Sequence, residues 1–127
     1  MNSYQSFVEQ KRKEYKSYAP VFSPALKEWV IFNAEGFGHL RFTPDGKARE
    51  HNEQLYKLHL LPLVIRVIES ARSINACRRI FKNNLVKVTY WSLVARVGNP
   101  RIKVKVIVRK VGNQGKIHFW SVMRLKK

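Results

Sequence analysis

The chain has 127 residues, with 25 Lys and Arg against 8 Asp and Glu, a formal charge of +17, and is 45% hydrophobic and 12% aromatic. That length suits one domain of roughly 100 to 150 residues with a buried core, which excludes wholesale disorder. A single cysteine, Cys77, excludes an internal disulfide, no zinc-ligand spacing occurs, and neither a span of about 20 apolar residues nor a signal-peptide core follows the N-terminal charges, so a soluble protein is expected.

Residues 1–18 read as a polar helix, because Tyr4, Phe7, Val8, Tyr15 and Tyr18 recur at roughly helical spacing around Lys11, Arg12 and Lys13; Pro20 and Pro24 mark its end. Trp29-Val30-Ile31-Phe32 is a short apolar run suited to a strand. The stretch from Glu35 to Phe42 is punctuated by Gly36 and Gly38, reads as a loop, and carries His39 two residues before Arg41. Thr43-Pro44-Asp45-Gly46 has the type I turn arrangement and leads into a helix. Over 47–75, Leu55, Leu58, Leu61, Val64, Ile65 and Ile68 form the stripe of a packed helix. Pro62 predicts a kink there, or two helices meeting near Leu60 and Leu61. Residues 70–84 are basic and show no clear period.

From residue 85 the hydrophobic period changes from 3.6 to 2. Segments 85–97, 101–111 and 115–124, joined by Gly98-Asn99-Pro100 and Gly112-Asn113-Gln114-Gly115, predict a three-stranded antiparallel meander. In the middle strand Ile102, Val104, Val106 and Val108 fall on one face, with Arg101, Lys103, Lys105 and Arg109 on the other. The expected fold is therefore α+β, a single domain over 1–127, with N-terminal helices packed on a C-terminal antiparallel β-meander of three to four strands.

An excess of positive charge this large repels itself unless a polyanion or an acidic protein offsets it. Nucleic acid is the first expected partner. A membrane surface would favour one basic amphipathic helix, whereas here the cations are spread along the chain. The charged strand face has cations about every 6 to 7 Å, and no Asp or Glu occurs from residue 70 to 127, so it is read as phosphate-binding rather than as an ordinary solvated face. Lys47, Arg49, Arg101, Lys103, Lys105 and Trp120 are the expected RNA-binding residues.

Histidine and cations in such a setting fit metal-free RNA cleavage. A base removes the 2′-hydroxyl proton, an acid protonates the leaving 5′-oxygen, and Arg or Lys stabilises the charged phosphorane. The 2′-hydroxyl requirement would spare DNA. The eight acids are scattered, with only Glu50 and Glu53 as close neighbours, which disfavours a metal-dependent nuclease. His39 projects from a flexible segment beside Arg41. His118 and Ser121 fall on opposite faces of a regular strand, so a bulge is needed before both can meet one substrate. His51 and His59, eight residues apart on the long helix, read as ordinary helix-face residues.

The order of these parts, with Gly38-His39-Leu40 ahead of a long helix and a meander ending in Phe119-Trp120-Ser121-Val122, resembles the barnase, EndoU, colicin and RelE-like (BECR) nuclease superfamily, in particular its phage-associated and polymorphic-toxin branches. The resemblance covers 29–127 as a nuclease core and leaves 1–28 as an N-terminal helical extension. It implies a metal-independent ribonuclease toxin that cleaves tRNA or mRNA to leave a 2′,3′-cyclic phosphate, needs no cofactor, and is neutralised by an acidic antitoxin or immunity protein. It further implies a cytoplasmic site of action, with delivery as part of a larger protein as one route. His39 looks like the family's helix-side histidine, Ser121 like its last-strand hydroxyl, and Arg109 like its sheet cation. Tyr90 matches an aromatic hydroxyl used in some branches. The family's basic pair after the histidine is not contiguous here, since Arg41 follows closely and Lys47 and Arg49 only after the turn. Expected catalytic residues are thus His39, Ser121, Arg109, His118, Arg41 and Tyr90. Two other readings remain open at this point: a non-catalytic nucleic-acid-binding protein of a phage or mobile element, stacking bases on Trp91, Trp120 or Phe119, and a module whose basic face docks on an acidic protein.

Overall fold

Asn2 starts the first helix. Its side chain accepts a hydrogen bond from the Gln5 backbone at 2.8 Å, and the Gln5 side chain accepts one from the Asn2 backbone at 3.3 Å, a reciprocal cap for α1 (Ser3–Lys16). The computed structural model describes residues 2–82, 86–113 and 115–126; Met1, Asn83, Asn84, Leu85, Gln114 and Lys127 lie outside the described residues, so the expected strand start at Leu85 and the turn residue Gln114 are not addressed. After α1 come β1 (Val21–Ser23) and β2 (Glu28–Ile31), an antiparallel hairpin with Val21 opposite Val30. Residues 1–28, expected to be a helical extension, thus also supply a strand of the sheet.

The segment expected as a loop is helical: α2 spans Ala34–Arg41. Asn33 caps it by accepting from the Gly36 backbone at 3.1 Å, and Glu35 lies in its first turn, where a carboxylate suits the helix dipole. Two glycines lower helix propensity, but packing overrides it here, because a Cβ on Gly36 would stand 2.3 Å from the Phe119 carbonyl oxygen. Gly36 is therefore what lets α2 lie directly on the last strand. The turn at Thr43 to Gly46 forms as expected, with Gly46 donating to the Thr43 carbonyl at 2.9 Å.

The long helix, α3 (His51–Ser70), runs through Pro62 as one element; Pro62 sits on its exposed side, and the expected division near Leu60 and Leu61 does not occur. Leu58, Leu61, Val64 and Ile68 are fully buried, as their spacing predicts. The basic stretch after α3 contains a strand that its sequence conceals, β3 (Ala76–Lys82). It is an edge strand exposed at all positions but Ile80, so no alternation is imposed on it, and its Arg and Lys keep the edge soluble.

The last three strands, β4 (Val86–Val97), β5 (Ile102–Val111) and β6 (Ile117–Leu125), form the expected meander. The sheet is larger than that meander, with six strands in the order β1-β2-β6-β5-β4-β3, and it is not purely antiparallel: β2 joins β6 in parallel at Val30 opposite Ile117 and Ile31 opposite His118. The helices are interleaved with the β1–β2 hairpin rather than all preceding the sheet. One face of the sheet, with Leu93, Val104, Val106, Val108, Phe119 and Val122, closes on the helices as a single core. Tyr15 of α1 reaches into that core and donates to the Asn33 carbonyl at 2.6 Å, so α1 braces the start of α2.

Candidate nucleic-acid cleft

The register of β6 decides which side chains can meet. Ile107 opposes Ser121, but the next residue, Val108, opposes Phe119, so Trp120 is an extra residue and β6 bulges there. Without it, His118 and Ser121 would lie on opposite faces. With it, His118 stands opposite Arg109 and Ser121 opposite Ile107, and both look away from the core. Two rows follow across the outer face: Arg78, Tyr90, Arg109 and His118, then Ala76, Ser92, Ile107 and Ser121.

All of these but His118 floor a cleft of about 780 Å³, walled by His39 from α2, Pro44 from the turn, Arg49 just before α3 and Lys57 within it. Arg49, Lys57, Arg78, Lys82, Lys105 and Arg109 all line it, and among the described residues Glu35 is its only acid. Because α2 is a helix, Glu35 and His39 are one turn apart on the side that faces the cleft, while Phe37 and Leu40 face the core.

Arg109 is buried and fixed on several sides. Its Nη2 donates to Glu35 Oε2 at 2.6 Å, its Nε donates to His118 Nε2 at 3.2 Å, and its guanidinium lies 3.7 Å from the Trp120 ring centroid. His118 is thus a neutral acceptor beneath Arg109, and burial, followed by the Arg109 charge, lowers its pKa. His39 stacks on Trp120 with centroids 4.1 Å apart. Burial, then the charges of Arg49 and Lys57, hold His39 down to about 4, opposed in part by the Trp120 backbone. Its Nδ1 is buried without a hydrogen-bond partner among the described residues. Lys57 Nζ lies 3.5 Å from Ser121 Oγ and donates to the Val122 carbonyl at 3.2 Å; burial, then Arg49, lowers its pKa.

Of the residues singled out from sequence, His39, Arg49, Tyr90, Lys105, Arg109, Trp120 and Ser121 line the cleft. His118 supports it from below. Arg41 lies elsewhere, bonded to Gln54 at 3.1 Å and stacked on Phe42, while Lys47 and Arg101 are exposed away from it and Lys103 is farther along β5, opposite Arg96 and Leu125. His51 stacks on Tyr4 and His59 packs at a tilt against Phe7, where they hold α1 to α3. Glu35, Lys57, Arg78 and Lys82 were not foreseen. Lys57 had a readable signal, since it falls on the same three- and four-residue stripe as Gln54, Leu58 and Leu61, where a lysine is out of place unless it has a task. Among the described residues no three His, Cys, Asp or Glu side chains group as they would to hold a metal ion, and no described helix is long and apolar enough to cross a membrane. Comparison with protein-family models, curated proteins and solved structures finds no significant match to the chain.

Proposed function

We propose that the protein is an endoribonuclease that cleaves RNA with its own side chains, in the manner of the BECR nucleases its sequence resembles. The observation that carries this reading is His39, stacked on Trp120 at the wall of a cleft lined by six cations, where burial and the neighbouring charges hold it neutral. A neutral imidazole accepts a proton, and a cationic cleft seats the phosphate beside it. In this mechanism the phosphate lies against Arg109 and Lys57. His39 takes the 2′-hydroxyl proton, the 2′-oxygen attacks phosphorus, and the 5′-oxygen leaves with a proton from the Lys57 ammonium, whose burial makes it a better donor than a lysine in water. Ser121 hydrogen-bonds a non-bridging oxygen, and Arg109 offsets the charge that builds in the transition state. His118 positions Arg109. As a toxin the protein would be neutralised by an acidic partner that covers the same cations.

The test is incubation of the purified protein in EDTA with RNA, with DNA, and with 2′-O-methyl RNA. Fragments ending in 2′,3′-cyclic phosphate are expected from unmodified RNA alone. Binding to all three without fragments would instead establish a non-catalytic nucleic-acid-binding protein.

The pH profile gives a second check. A histidine lowered to about 4 stays neutral through the range where an ordinary one, near 6.5, becomes protonated. The acid limb of kcat/KM is therefore expected well below pH 6.5, since that ratio reports the free enzyme. A limb at the ordinary histidine position would remove His39 as the base.

A further inference from the structure

The β1–β2 hairpin carries two large aromatic side chains that the core does not use. Phe22 and Trp29 are directly opposed, meet edge to face with centroids 5.5 Å apart, and are 43% and 60% exposed. Their orientation follows from the register. Val21, Ser23 and Val30 are buried toward the helices, so Phe22 and Trp29 point to the other face, the one that carries the cleft. Ile31, on the same face two residues after Trp29, opposes His118, which opposes Arg109. Two strands across and two residues along place Trp29 roughly 12 Å from Arg109 at the backbone. Trp29 also lines a second hollow of about 380 Å³ with Ile31, Lys110 and Lys116, and Glu28 is its only acid among the described residues.

We propose that Phe22 and Trp29 form a stacking platform for unpaired nucleobases of single-stranded RNA whose backbone continues into the cleft; this rests on reading the protein as one that acts on RNA. An exposed indole fixed by a neighbouring ring stacks any base on its face, and the flanking lysines hold the adjoining phosphates. A peptide strand is a poor occupant, because β1 offers an edge of only three residues for main-chain pairing. Continuity with the cleft on one sheet face, and the two lysines that line the hollow with Trp29, favour a nucleic acid over an apolar protein surface.

The experiment measures the affinity of the intact protein for a 2′-O-methyl oligoadenylate of about 12 nucleotides, a length within the usual range for single-strand sites. This probe binds without being cut. Trp29→Ala is expected to weaken binding about 10-fold, Phe22→Ala less, and Trp29→Tyr to restore most of the loss. Binding of inorganic polyphosphate, which has charge but no bases, is expected to stay unchanged in Trp29→Ala. Equal oligonucleotide affinity of wild type and Trp29→Ala, the result a protein-docking surface gives, overturns the platform. So does an equal loss for polyphosphate. If unmodified RNA is not cleaved but the Trp29 difference persists, the platform stands and the ribonuclease reading alone falls.

Discussion

Under the proposed mechanism His39→Ala is expected to lower the rate of RNA cleavage by about 10² to 10⁴, the usual span for loss of a general acid or base, while RNA affinity stays within a few-fold of wild type. The separation follows from where the charge resides. His39 is neutral and adds nothing to the electrostatic attraction, whereas Arg49, Lys57, Arg78, Lys82, Lys105 and Arg109 remain in place in the variant. Single-turnover kinetics with saturating protein, together with a binding curve on 2′-O-methyl RNA, measure the two quantities independently. His51→Ala and His59→Ala are the controls, because those rings pack against α1 and do not reach the cleft. Cleavage at the wild-type rate by highly purified His39→Ala would remove His39 from the chemistry and with it the proposed mechanism. His118→Ala is of a different kind: it frees Arg109 Nε from its acceptor, so a smaller loss of rate with some loss of stability is expected.

The second large effect is on folding. Gly36→Ala places a methyl 2.3 Å from the Phe119 carbonyl oxygen and 2.8 Å from Tyr15 Oη, and neither the β6 backbone nor a buried phenol can easily move away. A cost of about 1 to 3 kcal/mol is expected, as for other overpacked sites, and it displaces α2 from β6 and with it Glu35 and His39. Gly38 is the internal comparison. A Cβ there meets nothing within 4 Å and its backbone is not left-handed, so Gly38→Ala stabilises the helix by roughly 0.5 to 1 kcal/mol. Thermal unfolding of both variants checks the pair: Tm falls in the first and rises in the second, and equal shifts would show that α2 does not pack on β6 as described.

The contrast between these two glycines explains why α2 was not legible in the sequence. Glycine between polar residues signals a loop when only local preference is weighed, and the requirement that fixes Gly36 comes from Phe119, more than eighty residues away. The meander was legible mainly through β5, where Val104, Val106 and Val108 are buried in the core and alternate with partly exposed Lys103, Lys105 and Ile107, which writes period 2 into the sequence. β3 has no buried face and so leaves no such signal. The pairing of β2 with β6 has no local signature at all. For the site, the cationic strand face and the histidines were visible as chemistry, but Glu35 becomes a partner of Arg109 only once α2 is helical. The need for a bulge was readable from His118 and Ser121; its position at Trp120 was set by packing of Phe119 and Val122 against the helices.

The place of β6 in the sheet also bears on how the protein is made. It lies between β2 and β5, yet it is the last strand of the sheet to be synthesised. A nascent chain with every earlier strand still has no seat for Gly36, no parallel partner for Val30 beyond its hairpin pairing with Val21, and neither Trp120 nor Ser121. The cleft is therefore assembled only once the final strand has emerged and inserted, and translation that stops short of residue 117 releases a product without it.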